Sequence, residues 1–275
     1  MRDIELDSHA PSSVLPQSPK FYGQKGADKW AIDTLSKWDA SQAAAGLPRR
    51  TDQARFYVDL AANEPYVLSN SAFFDEALGW PGVCIDGNDH CVDHIRRSNR
   101  TCAVVKAIVD ACEGEEVVWL SRGVLGGIVD TDLDNKPVGI GASAHVVTAR
   151  TQTLEGILDA AGAPNVIDFF SLDVEGAEWR VMQRFPFDRY RFLTITIERA
   201  APWLHARLIA NGYVWRKNVH FDSFYVHSSV AAALDAPESK YEETAAKCMV
   251  NGKGIPGTSC EWTKEEGALC ACVGN

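Results

Sequence analysis

The chain has 275 residues, of which 46% are hydrophobic, and its formal net charge is −10. This length and apolar content suffice for one large domain or two small ones with a sizeable core, which indicates a globular protein. The acidic balance disfavours nucleic acid and anionic membranes as partners, because electrostatic binding to either needs clustered Lys and Arg. Small molecules are therefore the expected partners.

Residues 1–20 are rich in Ser, Pro and charge, which is typical of a disordered lead-in. This stretch lacks the apolar segment of a secretory signal. The longest apolar runs of the chain are strand-sized, shorter than the ~20 residues that a membrane span requires. We therefore expect a soluble, cytoplasmic protein. Residues 21–38 then have the spacing of an amphipathic helix from about Asp28 onward, followed by a turn-rich segment.

Strand and helix patterns alternate from residue 54 to residue 227. Strands are predicted at 54–60, 82–86, 101–109, 117–120, 144–148, 167–172, 192–198 and, as a hairpin, 213–227, with helices at 71–80, 90–98, 153–161, 177–184 and 203–211. Such alternation indicates an α/β fold with a mainly parallel central sheet and helices on both faces, and the hairpin adds one antiparallel strand. We expect one domain over residues 21–230 and a cysteine-containing tail over 231–275.

Four predicted strands end in carboxylates. Asp59 ends the first strand, and Asp86 ends the second at roughly the spacing of an acid that binds a ribose diol. Asp173 and Glu175 follow the buried strand of IDFFSLDVEGAEW, and Glu198 ends the next strand. Because ligands bind beyond the carboxyl ends of open α/β sheets, these acids predict a ligand site there.

Other candidates are weaker. Glu178 is interpreted as a helix-start residue, because negative charge suits a helix N-terminus. His145 and His220 are alternative bases, although a surface or core histidine is the more ordinary interpretation of each. Tyr22, Gln24 and Asp28 could belong to a lid, or to an N-terminal helix packed for stability. The first loop has neither GxGxxG nor GxxxxGK[ST], so the case for NAD, FAD or a P-loop site is poor.

The eight cysteines fall into two groups. Those beside the predicted sheet are interpreted as free, small core residues; they are Cys84, Cys91, Cys102 and Cys112. Those in the tail do not match the paired CxxC of common zinc sites, and disulfides, a loose metal site and free thiols remain open for them; they are Cys248, Cys260, Cys270 and Cys272.

The motifs together resemble the FkbM family of S-adenosylmethionine-dependent methyltransferases, which have the class I Rossmann-like fold. FYVDLAAN resembles the family's first motif, SNSAFFDEALGWPGVCIDGN its next helix and acidic strand, and IDFFSLDVEGAEW its most recognisable block. TITIER and FYGQKGADKW resemble two further elements. The resemblance covers roughly residues 21–227 in order, which is far more specific than any single motif.

The resemblance implies S-adenosylmethionine as cofactor. It places Asp59, Ala61 and Asn63 on the methionine and ribose side, Asp86 on the ribose hydroxyls, and Asn88 beside the ribose or adenine. Methyl transfer to a hydroxyl also needs alignment and proton removal.

Asp173, Glu175 and Glu198 are the acids expected to do this on a small-molecule acceptor, such as a sugar or lipid-like hydroxyl. Carboxylates could alternatively hold Mg²⁺ or Ca²⁺, which we do not favour because the ligand count is low.

The sequence also departs from the family pattern. Ala61 and Pro65 stand where glycine is usual, and Gly87 stands where proline is usual. Alanine fits if φ is negative, whereas Pro65 removes a backbone donor. Two rival functions therefore stay open: a non-catalytic binding or scaffolding module with this fold, and a nucleotide-sugar enzyme on the same sheet.

Overall fold

A computed structural model describes residues 19–47, 55–122, 125–130, 133–137 and 145–237. The tail cysteines and nearly all of the predicted lead-in lie outside these ranges. Within them, no helix combines the length and the apolar character needed to cross a membrane.

The described chain contains eleven strands and seven α-helices. The strands are β1 (Tyr57–Leu60), β2 (Gly82–Asp86), β3 (Ala103–Lys106), β4 (Ile108–Val109), β5 (Glu116–Ser121), β6 (Gly127–Ile128), β7 (His145–Gln152), β8 (Val166–Leu172), β9 (Arg191–Glu198), β10 (Tyr213–Val219) and β11 (Asp222–His227). The helices are α1 (Ala27–Ala44), α2 (Ala72–Glu76), α3 (Asp89–Arg97), α4 (Leu154–Ala160), α5 (Glu178–Met182), α6 (Pro202–Ala210) and α7 (Ser228–Ala231).

Seven strands form one large sheet in the order β10-β11-β9-β8-β1-β2-β3. Strand β11 pairs antiparallel with both of its neighbours, and the other pairings in this sheet are parallel. The mainly parallel α/β sheet with one antiparallel strand is thus confirmed. The chain builds outward from β1 through β3 and then returns to β8 on the other side of β1. This reversal creates a switch point at the carboxyl ends of β1 and β8, where ligands bind in such sheets.

Helices cover both faces of the large sheet, because its central strands are apolar on both sides. Val58 and Leu60 of β1 pack in a cluster with α4, α5 and α6, whereas Tyr57 packs in a second cluster with α1, α2, α3 and α7. Because both of their faces are buried, the sequences of these strands are continuous apolar runs.

Several elements differ from their predicted bounds: for example, α2 ends at Glu76 and β7 extends to Gln152. Helix α1 continues to Ala44, because the predicted turn-rich segment begins with Ala-rich sequence that favours helix. The strand predicted at 101–109 is two strands, of which β4 leaves the large sheet. It joins a second, four-stranded sheet of order β4-β7-β5-β6.

The prediction of free cysteines beside the sheet is wrong for three of the four. Cys84 of β2 and Cys102, which precedes β3, form a disulfide with their Cα atoms 6.0 Å apart. Their 18-residue separation in sequence hid a proximity that parallel pairing of β2 and β3 creates. Cys112 is also disulfide-bonded, whereas Cys91 is free and buried as predicted.

A buried ion pair fixes the segment between β1 and α2. Arg100 and Asp75 are almost fully buried and lie 2.7 Å apart. The Arg100 guanidinium also donates to the carbonyl of Pro65 at 2.8 Å and to the hydroxyl of Ser71 at 2.8 Å. Ser71 in turn donates to Asp59 at 2.5 Å. One guanidinium therefore connects the loop after β1 to the acid that ends β1.

We predict that Arg100→Met lowers the free energy of unfolding by about 3–5 kcal/mol, because it leaves Asp75 buried without its counter-charge. Arg97→Met is the matched control, since Arg97 and Asp93 form an exposed pair, and exposed pairs contribute little. Urea denaturation of both variants measures the difference. Equal losses in the two variants would contradict this role of Arg100.

Candidate active site

A cavity of about 280 Å³ opens at the carboxyl ends of β1, β2, β8 and β9. All eight residues predicted for the site line it: Asp59, Ala61, Asn63, Asp86, Asn88, Asp173, Glu175 and Glu198. Five of these are carboxylates, and no Lys, Arg or His is among the described residues that line the cavity. The cavity is therefore strongly acidic.

One half of the cavity is formed by the loop after β1. The Asp59 carboxylate is buried, and this burial raises its pKa despite the hydrogen bond from Ser71. Asn70 donates to Ser171 Oγ at 2.9 Å. Its Oδ1 is buried with no hydrogen-bond partner among the described residues. This oxygen is therefore available to a donor from a bound ligand or a water molecule.

The same loop has left-handed backbone conformations. Ala61 has φ 67° and Asn63 has φ 53°, so Ala61 does not have the negative φ at which alanine fits without strain. Ala61 is held there because its N–H donates to the Ile85 carbonyl at 2.9 Å. A left-handed alanine costs roughly 1–2 kcal/mol, and such conformations persist where the surrounding structure enforces them.

Asp86 joins this loop to the loop after β2. Its two carboxylate oxygens accept hydrogen bonds from the backbone N–H of Asn63 at 2.9 Å and of Asn88 at 2.7 Å. Burial raises the pKa of Asp86, and these two bonds oppose the rise. Asn88 also caps α3, because its Oδ1 accepts from the N–H of His90 at 3.0 Å.

Gly87 and Trp119 fit against each other on the cavity wall. A Cβ at Gly87 would lie 2.6 Å from the Trp119 ring, so a proline there would collide with the indole. The indole Nε1 is buried without a partner among the described residues. Sequence reasoning missed Trp119, because strand β5 belongs to the second sheet and its position carries no motif. Pro65, the other departure from the family pattern, does not line the cavity.

The other half of the cavity contains the acid cluster. Burial, and then the nearby Glu198 with which Asp173 is hydrogen-bonded, raise the pKa of Asp173 to about 9. Burial and Glu198 also raise the pKa of Glu175. At neutral pH Asp173 is therefore protonated and donates a hydrogen bond. In this protonated state it cannot accept a proton as a base.

Arg199 balances the cluster, and sequence reasoning missed it. Its guanidinium lies 2.6 Å from Glu198, 3.1 Å from Glu175 and 2.6 Å from Asp134. Its backbone is left-handed, with φ 49°, as is that of Glu175, with φ 54°. Arg199 directly follows Glu198, the acid that ends β9. This position was the sequence signal that could have identified Arg199 as a site residue.

Glu178 has the helix-start position expected from the sequence. It is buried, does not line the cavity, and accepts hydrogen bonds from the N–H of Val174 at 3.0 Å and of Gly176 at 3.2 Å. Burial raises its pKa to about 7. Glu178 thus holds the turn that presents Glu175.

Of the remaining candidates, one lines the cavity and the others lie outside it. Gln24 lines the cavity, whereas Tyr22 donates to Glu76 at 2.6 Å outside it. His145 and His220 are exposed and are not in the lining.

The sequence-family model described as the methyltransferase FkbM domain matches residues 59–213, more than half of the chain. The chain belongs to the FkbM methyltransferase family. The matched segment contains all eight of the predicted site residues. No curated protein matches the chain.

In this FkbM domain the acid cluster is a poor fit for a metal ion. Ligand oxygens of Asp173, Glu175 and Glu198 lie within 4.8 Å of one another, and three oxygens are few for Ca²⁺, which takes about six to eight. The Arg199 guanidinium already forms ion pairs with two of the three, Glu175 and Glu198. An ion bound there would have to overcome the repulsion of this cation.

We predict that Asp173→Asn raises the Tm, by an amount that grows with pH. The native state keeps a proton on Asp173 up to about pH 9, whereas the unfolded state loses it near its ordinary pKa of 3.8. Stability from this group is therefore full below pH 3.8 and is lost as the pH rises toward 9. Asparagine retains the hydrogen-bond donor without this loss.

Thermal melts between pH 4.5 and 9 measure the effect, with Asp188→Asn at an exposed position as control. A Tm difference from the parent chain that does not change with pH would contradict the assignment.

Proposed function

We propose that this domain transfers a methyl group from S-adenosylmethionine to a hydroxyl oxygen of a small molecule, with a class I Rossmann-like fold. The observation that carries the proposal is the acidic cavity: five carboxylates and no basic residue among its described lining residues. S-adenosylmethionine has a sulfonium and an ammonium group, both cationic. A nucleotide sugar has a pyrophosphate, which these carboxylates would repel. The cavity chemistry thus favours the methyl donor over the nucleotide-sugar alternative.

Polar groups of the cavity suit the cofactor's functional groups. Asp59 and the free Oδ1 of Asn70 are acceptors suited to the ammonium group. Asp86 retains lone pairs for the ribose hydroxyls, and the Trp119 indole is a donor suited to an adenine nitrogen. When bound, the cofactor supplies an electrophilic methyl group that needs no further activation.

The acid cluster would then remove the proton of the acceptor hydroxyl. Asp173 would lose its proton when a positive charge lies beside it, because an opposite charge favours the carboxylate and lowers its pKa. The ionised Asp173 is then positioned to remove the proton of the acceptor hydroxyl. Glu175 and Glu198, held by Arg199, orient the acceptor. Alignment and proton removal are the two tasks this transfer requires.

Titration calorimetry with S-adenosylmethionine and with its neutral product, S-adenosylhomocysteine, tests this function. At pH 8 in buffers of different ionisation enthalpy, we expect about one proton to be released with the sulfonium and fewer with the thioether. Asp173→Asn should bind both ligands with no such difference. No binding of either ligand would contradict the enzyme proposal and favour the scaffolding alternative.

Gly87→Ala should weaken S-adenosylmethionine binding by about tenfold, because the added methyl group displaces the Trp119 ring. Gly156→Ala is the matched control, since Gly156 lies in α4, outside the cavity. Affinities from the same calorimetry give the comparison. Equal affinities for the two variants would show that the Gly87–Trp119 contact plays no part in binding.

A further inference from the structure

Three side chains of types that bind metal ions lie close together outside the cavity, on two different segments. Glu64 lies in the loop after β1, and His90 and His94 lie one turn apart on α3. Potential ligand atoms of the three residues all lie within 4.8 Å of one another. His94 Nδ1 lies 2.8 Å from Glu64 Oε2, and the two imidazole rings are 6.1 Å apart.

We propose that Glu64, His90 and His94 bind one divalent transition-metal ion, with Zn²⁺ the best fit. Two imidazole nitrogens and one carboxylate oxygen form a three-ligand set, and a water molecule completes a tetrahedron. Mg²⁺ and Ca²⁺ prefer oxygen ligands alone, so the two histidines select against them. None of the three residues takes part in the proposed methyl transfer, so the inference is independent of it.

The backbone holds the two segments in place for such an ion. The Asp86 carboxylate accepts from the N–H groups of Asn63 and Asn88, which directly precede Glu64 and α3. Tetrahedral bonds of roughly 2.0–2.2 Å place ligand atoms roughly 3.3 Å apart. Side-chain rotation can close the remaining gap, because His94 is 50% and Glu64 28% exposed.

A surface ion pair between His94 and Glu64 is the competing explanation. Such a pair contributes little by itself, and it does not account for His90 on the same side of the helix. The metal site accounts for all three residues.

The first experiment uses the full chain, freed of metal with a chelator, and thermal melts with Zn²⁺ or Mg²⁺. At a hundredfold excess over its Kd, Zn²⁺ should raise the Tm by roughly 5–10 °C, whereas Mg²⁺ should not. His90→Ala and His94→Ala should abolish the Zn²⁺ shift, and Glu64→Gln should weaken binding at least roughly tenfold. His220→Asn, at an exposed histidine with left-handed φ of 55°, should behave like the parent chain.

The tail cysteines are a second potential zinc ligand set, so the same chain is also titrated with Co²⁺. The difference spectrum between the parent chain and His90→Ala should contain d–d bands without a thiolate charge-transfer band. Metal binding at this site that both His90→Ala and His94→Ala retain, or that Mg²⁺ reproduces, would overturn the proposal. No Zn²⁺ shift in the parent chain would overturn it as well.

Discussion

The two hydrogen bonds to Asp86 are the interaction on which the site depends. The carboxylate at the end of β2 accepts one backbone N–H from the loop after β1 and one from the loop before α3. These two loops form the side of the cavity that we propose for the cofactor, and they also carry the three residues of the proposed metal site. A single buried acid thus fixes the relative position of the two neighbouring sites that we propose.

The opposite side of the cavity depends on charge balance. Asp173, Glu175 and Glu198 come from two adjacent parallel strands whose carboxyl ends meet, so their mutual repulsion is built into the fold. Arg199 compensates part of it, and protonation of Asp173 compensates another part. A cationic ligand would complete the balance. The pKa of Asp173 is raised because the carboxyl is buried beside other acids, and a bound cation would lower it.

The sheet and the site acids were predictable because each left a local signal. Buried parallel strands are continuous apolar runs, and an acid directly after such a run falls at the ligand edge. Residues without such a signal were missed. Trp119 reaches the cavity from a second sheet, and the Cys84–Cys102 disulfide depends on the pairing of β2 with β3. The left-handed φ of Ala61 is set by its hydrogen bond to the Ile85 carbonyl. This is a backbone contact, so the residue types at the two positions do not predict it.

A crystal structure with S-adenosylhomocysteine is the most direct test of the central claim that this acidic cavity is a methyl-donor site. We predict adenine against Trp119, the ribose hydroxyls on Asp86, the ammonium group near Asp59 and Asn70, and the sulfur facing Asp173. A ligand bound elsewhere, or with its ribose away from Asp86, would contradict the account.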